Sequence, residues 1–165
     1  MTSHELAIRP AAFADQAAVW QTLEPAIRAG ETLALDQDLT RAGALDYWFS
    51  ARHEVFVAEQ EGTVVGTYLL RANEAGGGAH VATALYVVSP SATGRGIAQA
   101  MIEHSLDHAR KRGFLAMQLG FVPSSEERRL KLWQRAGFSV LARLPKAFRH
   151  PSLGLIDAFV LHRAL

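Results

Sequence analysis

Gly94 and Gly96 stand where a run rich in β-branched and aromatic residues, His80 to Val88, gives way to a helical pattern. Glycine lets backbone amides come close to a ligand. The first amides of the helix that follows have no intrahelical partner, and the macrodipole makes that end positive. Strand, glycine turn and helix start in this order form an anion site suited to phosphate. Two familiar phosphate motifs do not fit it. A dinucleotide fingerprint needs glycine at position 99, where the chain has Gln99. A P-loop needs Gly-Lys-Ser/Thr after four spacers, and the chain has none.

Other candidate chemistry is sparser. His104 and His108 have the spacing of two metal ligands on one helical face. They lie opposite the apolar side of their helix and no third ligand is evident, so a solvated face is expected and no metal. The chain has no cysteine, which removes disulfides, thiolate metal sites and an acyl-cysteine intermediate. It has no Gly-x-Ser-x-Gly elbow for a serine nucleophile.

The elements that must position the glycine turn follow from periodicity. Leu6 to Arg9 reads as a strand ended by Pro10, and Phe13 to Arg28 as a helix that Pro25 should kink or end. Thr40 caps a second helix through Ser50. Glu54–Ala58 and Thr63–Leu70 form a hairpin, and a flexible Asn73–Gly78 link leads into the strand at 80–88. The motif helix spans Gly96 to Arg112, with Ala98, Ile102, Leu106 and Ala109 on its apolar face. Leu115–Val122 is the next strand, and Ser124 with Glu127 forms a capping box for a last helix ending at Gly137. Phe138–Leu144 and Leu155–Leu161 are closing strands, with Arg149–Ser152 in the loop between them. Alternating strands and helices around a mixed sheet give an α/β or α+β sandwich.

The chain has 165 residues, 49% hydrophobic and 20% charged, with a net charge of +1. That is one domain, residues 1–165, with the composition of a soluble globular protein. The balanced charge argues against a nucleic-acid binder. No apolar run is long enough to span a bilayer, and Met1 to Glu5 lacks the pattern of a leader. A cytoplasmic protein without nucleic-acid or membrane partners is expected.

Val88-x-Pro90 followed by Gly94-x-Gly96-x-Ala98 resembles the acetyl-CoA-binding motif of the GCN5-related N-acetyltransferase (GNAT) family. The family pattern is Arg/Gln-x-x-Gly-x-Gly/Ala. Gly96 and Ala98 match it, and Thr93 occupies the Arg/Gln position, which removes a side chain and no backbone donor. Leu132-Trp133-Gln134-Arg135-Ala136-Gly137-Phe138 resembles a second motif of the same family, with Trp133 where Tyr is usual and Glu126 where Asn is usual. A Tyr hydroxyl can protonate a departing thiolate, whereas an indole N–H only donates a hydrogen bond. Leu144-Pro145-x-Ala147-Phe148-Arg149-His150-Pro151 and Gly154 to Ala158 are similar to bacterial members related to fungal acetyltransferases of proline analogues.

The resemblance implies a mixed, mostly antiparallel sheet of about seven strands flanked by about four helices. It implies acetyl-CoA held by Tyr86, Val87, Val88, Thr93, Gly94, Arg95, Gly96, Ile97, Ala98, Gln99 and Trp133, with no metal. Backbone amides around Tyr86 to Val88 would meet the thioester oxygen, and Trp133 or Tyr86 the thiolate. The implied reaction is direct attack of a small-molecule amine or amino acid on the thioester. The ammonium, of unperturbed pKa near ~10, must first lose a proton, and Glu31 and Glu126 are the candidate bases. Glu31, Thr32 and Thr83 are the candidate acceptor contacts, and Asp36 and Asp38 beside that loop suggest a cationic acceptor. Two other classes stay open: a protein acetyltransferase acting on N-termini or lysines, and a non-catalytic acyl-CoA sensor. A homodimer is compatible with all of these.

Overall fold

The structure is a computed structural model that describes residues 5–165. Met1 to His4, on which the expected lack of a leader mainly rests, lie outside the described residues. Seven strands form one sheet in the order β1-β2-β3-β4-β5-β7-β6. They are β1 (Leu6–Pro10), β2 (Glu54–Gln60), β3 (Thr63–Ala72), β4 (Val81–Val88), β5 (Ala116–Pro123), β6 (Ser139–His150) and β7 (Gly154–Ala164). Only the β4–β5 pair is parallel; every other neighbour is antiparallel. The helices are α1 (Gln16–Ala29), α2 (Arg41–Trp48), α3 (Ile97–Lys111) and α4 (Glu127–Arg135). The mixed, mostly antiparallel sheet with four flanking helices is the architecture expected from the sequence. No described helix is long and apolar enough to cross a membrane.

Strand alternation sorts the core into two layers. Val57, Leu69 and Val87 face α1 and α2, where Val19, Trp20, Leu23, Ile27, Ala44 and Trp48 are buried. Phe56, Tyr68, Ala84 and Tyr86 face α3 and α4, against Ile97, Met101, Ile102, Leu106 and Trp133. The α3 stripe is centred on the fully buried Met101. A Cβ on Gly66 of β3 would come within 3.0 Å of the Met101 methyl and 3.1 Å of Ile97. Glycine there lets α3 settle directly on the sheet.

Four local expectations are corrected by tertiary context. Of the two outcomes expected at Pro25, a kink or an end, the end does not occur: α1 continues to Ala29. The lost hydrogen bond, worth roughly 3 kcal/mol with the ring clash, is outweighed by Val19, Trp20, Leu23 and Ile27 on the sheet. Ser124 does not cap α4. Its N–H donates to Asp157 O at 2.8 Å, which keeps it in the β5–β7 ladder, and Glu126 takes the N-cap position without a side-chain bond. Arg149 and His150 belong to β6, which runs past a bulge between Leu144 and Phe148. The Asp157 carboxylate accepts from Lys146 N (2.8 Å) and from Arg143, and so braces the bulge. Pro145 is tolerated because β6 is an edge strand.

The fourth correction concerns His104 and His108, which are not a solvated face. His104 Nδ1 lies 2.7 Å from the Tyr68 hydroxyl, and both rings pack against Phe56. Burial and the neighbouring His108 push the His104 pKa down.

Arg9 ties β1 to its surroundings. Its guanidinium reaches Asp15 at 2.8 Å and Glu59 at 2.7 Å, and Asp15 also accepts from Ala12 N at 2.6 Å. The Arg9 hydrogen bond, followed by the Ala12 N–H, holds the Asp15 carboxyl below the usual range. A carboxylate whose folded pKa is depressed contributes stability above its unfolded pKa of about 4, and that contribution fades as pH falls through the folded value. Asp15→Asn should therefore lower Tm at pH 7 by a few degrees, on the order of 1 kcal/mol after screening of the half-exposed Arg9. The difference from wild type should shrink in melts taken below pH 4; a gap that ignores pH would show that the carboxylate charge contributes nothing.

Candidate active site

The site begins with a break in the sheet. β5 pairs with β4 only at Val81–Ala116 and Ala82–Met117. Beyond that point the two strands separate. Further along, a bulge between Leu119 and Val122 interrupts the pairing of β5 with β7. On its other side β4 is fully paired with β3. Ser89 N donates to Val65 O and Asn73 N to Val81 O, both at 2.8 Å. The odd-numbered residues of β4 therefore bond to β3, and alternation turns the backbone groups of Ala84, Tyr86 and Val88 towards the gap. In agreement, the even-numbered His80 accepts from Leu115 N across the β5 side at 2.9 Å.

A cavity of about 290 Å³ fills the gap. Ala98, Ile102, Leu132 and Trp133 line it from the α3/α4 layer; Leu33, Tyr47, Leu69 and Leu85 line it from the α1/α2 layer. It is therefore walled by residues from both faces of the sheet. Its charged lining residues are Arg71, Glu126 and Arg129, with Glu126 Oε2 3.2 Å from Arg129 Nε.

Between Val88 and Ala98, which both line the cavity, lies the glycine turn. Gly94 (φ +81°) and Gly96 (φ +76°) both adopt the left-handed region, and a Cβ on either would meet nothing within 4 Å. Their glycine identity serves the backbone turn and leaves open space above it. α3 then starts without a side-chain cap and without an acidic residue in its first turn. Ala100 N is the first to bond within the helix, to Gly96 O at 3.1 Å. The N–H groups of Ile97, Ala98 and Gln99 are thus left as donors at the positive helix end.

Among the residues singled out by the sequence, Tyr86, Val88, Ala98, Trp133, Thr32, Thr83 and Glu126 line the cavity. Thr93, Gly94, Arg95 and Gly96 form the exposed turn between the lining residues Val88 and Ala98, and none of the four lines the cavity itself. Val87 and Ile97 are buried in the two cores; Ile97 offers the site only its backbone N–H, whereas the Val87 backbone pairs with Thr67 of β3 and does not face the gap. Gln99 is exposed, with Nε2 donating to Glu103 at 3.0 Å. Glu31, Asp36 and Asp38 are exposed and outside the lining. Those carboxylates sit on the outer surface of the α1–α2 loop while Leu33 turns inward, so they do not give the cavity the negative charge that would select a cationic acceptor.

The two aromatic candidates differ in kind. The Tyr86 hydroxyl lies 2.6 Å from Ser105 Oγ, which itself donates to Ile102 O at 2.7 Å, so the Tyr86 proton is committed to Ser105. Burial pushes the Tyr86 pKa up, and its hydroxyl is tied to Ser105 and Met117 in the core while the residue lines the cavity. Trp133 packs on Tyr86 and Phe138 with ring centroids 5.1 and 5.4 Å away. Its indole N–H has no hydrogen-bond partner among the described residues and is not sealed from solvent-sized space.

Sequence reasoning missed Arg71, Asn73, Tyr47, Phe121 and Arg129. Arg71 was readable in principle: it pairs with Thr83 across the β3–β4 ladder and so shares its face. Phe121 and Arg129 became neighbours of the site only through the β5 bulge and the late start of α4.

Comparison with known proteins agrees with this geometry. Residues 18–138 match the model of the acetyltransferase (GNAT) family. A GCN5-related N-acetyltransferase from Kribbella flavida is 36% identical, with a TM-score of 0.93 and coverage of 97% of this chain and 98% of that one. The structure of yncA from Salmonella typhimurium with acetyl-CoA shares the fold at 23% identity, with a TM-score of 0.85 and 98% and 94% coverage. A mycothiol acetyltransferase of Propionibacterium freudenreichii is 27% identical over 95 residues, 58% of this chain, and the matched stretch is 30% of that protein's length. Both motifs, the parted strands and the open glycine turn fall inside the matched stretch, and the chain belongs to the acetyltransferase (GNAT) family.

Proposed function

We propose that this protein transfers the acetyl group of acetyl-CoA to the amine of a small molecule, the two substrates approaching from opposite faces of the sheet. The observation that carries this reading is the cavity through the β4–β5 gap, edged by the unpaired backbone of Ala84, Tyr86 and Val88. An extended pantetheine arm fits such an edge as a missing strand would, through main-chain hydrogen bonds. The family uses acetyl-CoA, and the residues fit it. The open turn at Gly94 and Gly96 and the free amides of Ile97, Ala98 and Gln99 suit its pyrophosphate. When bound, acetyl-CoA supplies an activated acyl thioester.

The chain's own groups then have separable tasks. A backbone N–H of the β4 edge is available to a carbonyl oxygen that gains negative charge. The indole N–H of Trp133 is available to a thiolate as a hydrogen-bond donor, and it does not transfer its proton. Glu126 is the sole carboxylate of the cavity lining, and we assign it the removal of the acceptor's proton, directly or through water. Glu31, on the outer surface, receives no role. The size of the cavity and its cover by Leu33 and Tyr47 favour a small acceptor over a protein chain.

Free-thiol release with acetyl-CoA and a panel of primary and secondary amines tests the reaction. Glu126→Gln should lower kcat at pH 7 by about 10²-fold and leave the acetyl-CoA KM unchanged. A wild-type kcat and pH profile in that variant would remove Glu126 as the base.

A further inference from the structure

Resting on the acetyl-transfer reading, we infer that Arg71 binds a carboxylate of the acceptor, so that the substrates are amino acids with apolar side chains. Among the described residues, the acceptor half of the cavity holds one cationic side chain, Arg71, and no acidic one. Glu126, the sole carboxylate of the whole lining, is engaged by Arg129 at 3.2 Å. Among the described residues no carboxylate lies within ion-pair distance of Arg71. Its positive charge therefore lines a partly enclosed space without a counter-ion of its own, and an anionic ligand group is its electrostatic complement.

The guanidinium is also set for this task. Nη1 donates to Ala72 O at 3.0 Å and Asn73 O at 3.1 Å. Those two bonds fix the plane of the fork and leave Nε and Nη2 without a partner among the described residues. That edge carries two parallel donors, the geometry a carboxylate accepts bidentately. Because Nη1 is already anchored, little side-chain entropy remains to be lost on binding.

Register fixes how far the anion lies from the reacting centre. Arg71 pairs with Thr83, and the gap-facing backbone begins one residue later at Ala84. At roughly 3.3 Å per strand residue, Ala84 and Tyr86 lie ~3–10 Å further along. An acceptor must therefore bridge only a few bonds between its anion and its nitrogen, as an α- or β-amino acid does. Leu33, Leu35, Leu69, Leu85 and Tyr47 give this half an apolar wall that suits an apolar side chain, and Thr32 and Asn73 add polar groups beside it. Thr83 adds a hydroxyl on the same face.

The test compares each of L-alanine, L-valine, L-leucine, L-proline and L-phenylalanine with its carboxamide, as acceptors for the wild type, Arg71→Gln and Arg71→Lys. At least one wild-type amino acid should show kcat/KM above that of its amide by roughly 10- to 100-fold, the range of a charge-assisted pair. Arg71→Gln should erase that preference by raising the amino-acid KM, with the acetyl-CoA KM and Tm close to wild type. Arg71→Lys should recover part of it, since it restores the charge without the fork. Amides used as well as or better than every amino acid would overturn the assignment, as would an unchanged preference in Arg71→Gln. Acetyl-CoA binding is followed separately by thermal shift. If acetyl-CoA binds and no amine of either series releases thiol, acetyl transfer to small amines has failed and the assignment falls with it.

Discussion

Gly96→Asp should weaken coenzyme A binding by more than 100-fold while leaving the protein folded. The two effects separate because Gly96 is exposed and a Cβ there meets nothing within 4 Å. The only structural cost is the left-handed backbone at φ +76°, about 1 kcal/mol for Asp, which tolerates that region better than most residues. The added carboxylate stands beside the unbonded amides of Ile97, Ala98 and Gln99, where a pyrophosphate belongs. It both competes for those donors and repels the ligand's charge. Gly96→Ala isolates the backbone term and should cost no more than about tenfold, since it adds the strain without the charge. Isothermal titration with coenzyme A on both variants is decisive. Wild-type affinity in Gly96→Asp would mean that the turn is not the pyrophosphate site.

The second large effect is at Trp133. Truncation to Ala should destabilise the protein by roughly 3–4 kcal/mol, because the ring is buried against Tyr86 and Phe138. That result by itself speaks only of packing. Trp133→Phe keeps an aromatic ring and removes the N–H. If the indole meets the departing thiolate, kcat should fall about tenfold with Tm nearly unchanged, a loss of about 1.4 kcal/mol in the barrier. Trp133→Tyr should retain cofactor affinity and equal or exceed wild-type turnover, because a phenol both donates and protonates. A wild-type kcat in Trp133→Phe would confine Trp133 to the core. Tyr86→Phe provides the contrast. With its proton held by Ser105, loss of that hydroxyl should change stability rather than the chemical step.

Much of this protein is legible from local patterns. The strand-turn-helix from His80 to Arg112, the Thr40 cap at 3.1 Å to Gly43 N and the β2–β3 hairpin all depend on neighbours in the chain. Glycines 94 and 96 could be read as a cradle because their role is a backbone conformation, and that is a property of the residue itself. The family motifs lie in the same stretch for the same reason.

Where local rules failed, a distant partner had the larger energy. Burial of α1 on the sheet carried the helix through Pro25. The β7 ladder claimed Ser124 from α4, and Phe56 and Tyr68 drew His104 out of solvent. The acceptor half of the site belongs to this second class. Glu31, Asp36 and Asp38 are conspicuous in the sequence yet point outward, whereas Arg71 is one cation in a strand and becomes a cavity residue only through its register with Thr83. The sequence by itself therefore determined the glycine turn, whose unbonded donors are consecutive amides of one segment. The tertiary structure decided the cavity, because its walls come from strands that must first pair and then part, and from a bulge at Gly120 and Phe121 that exists only once β5 lies against β7.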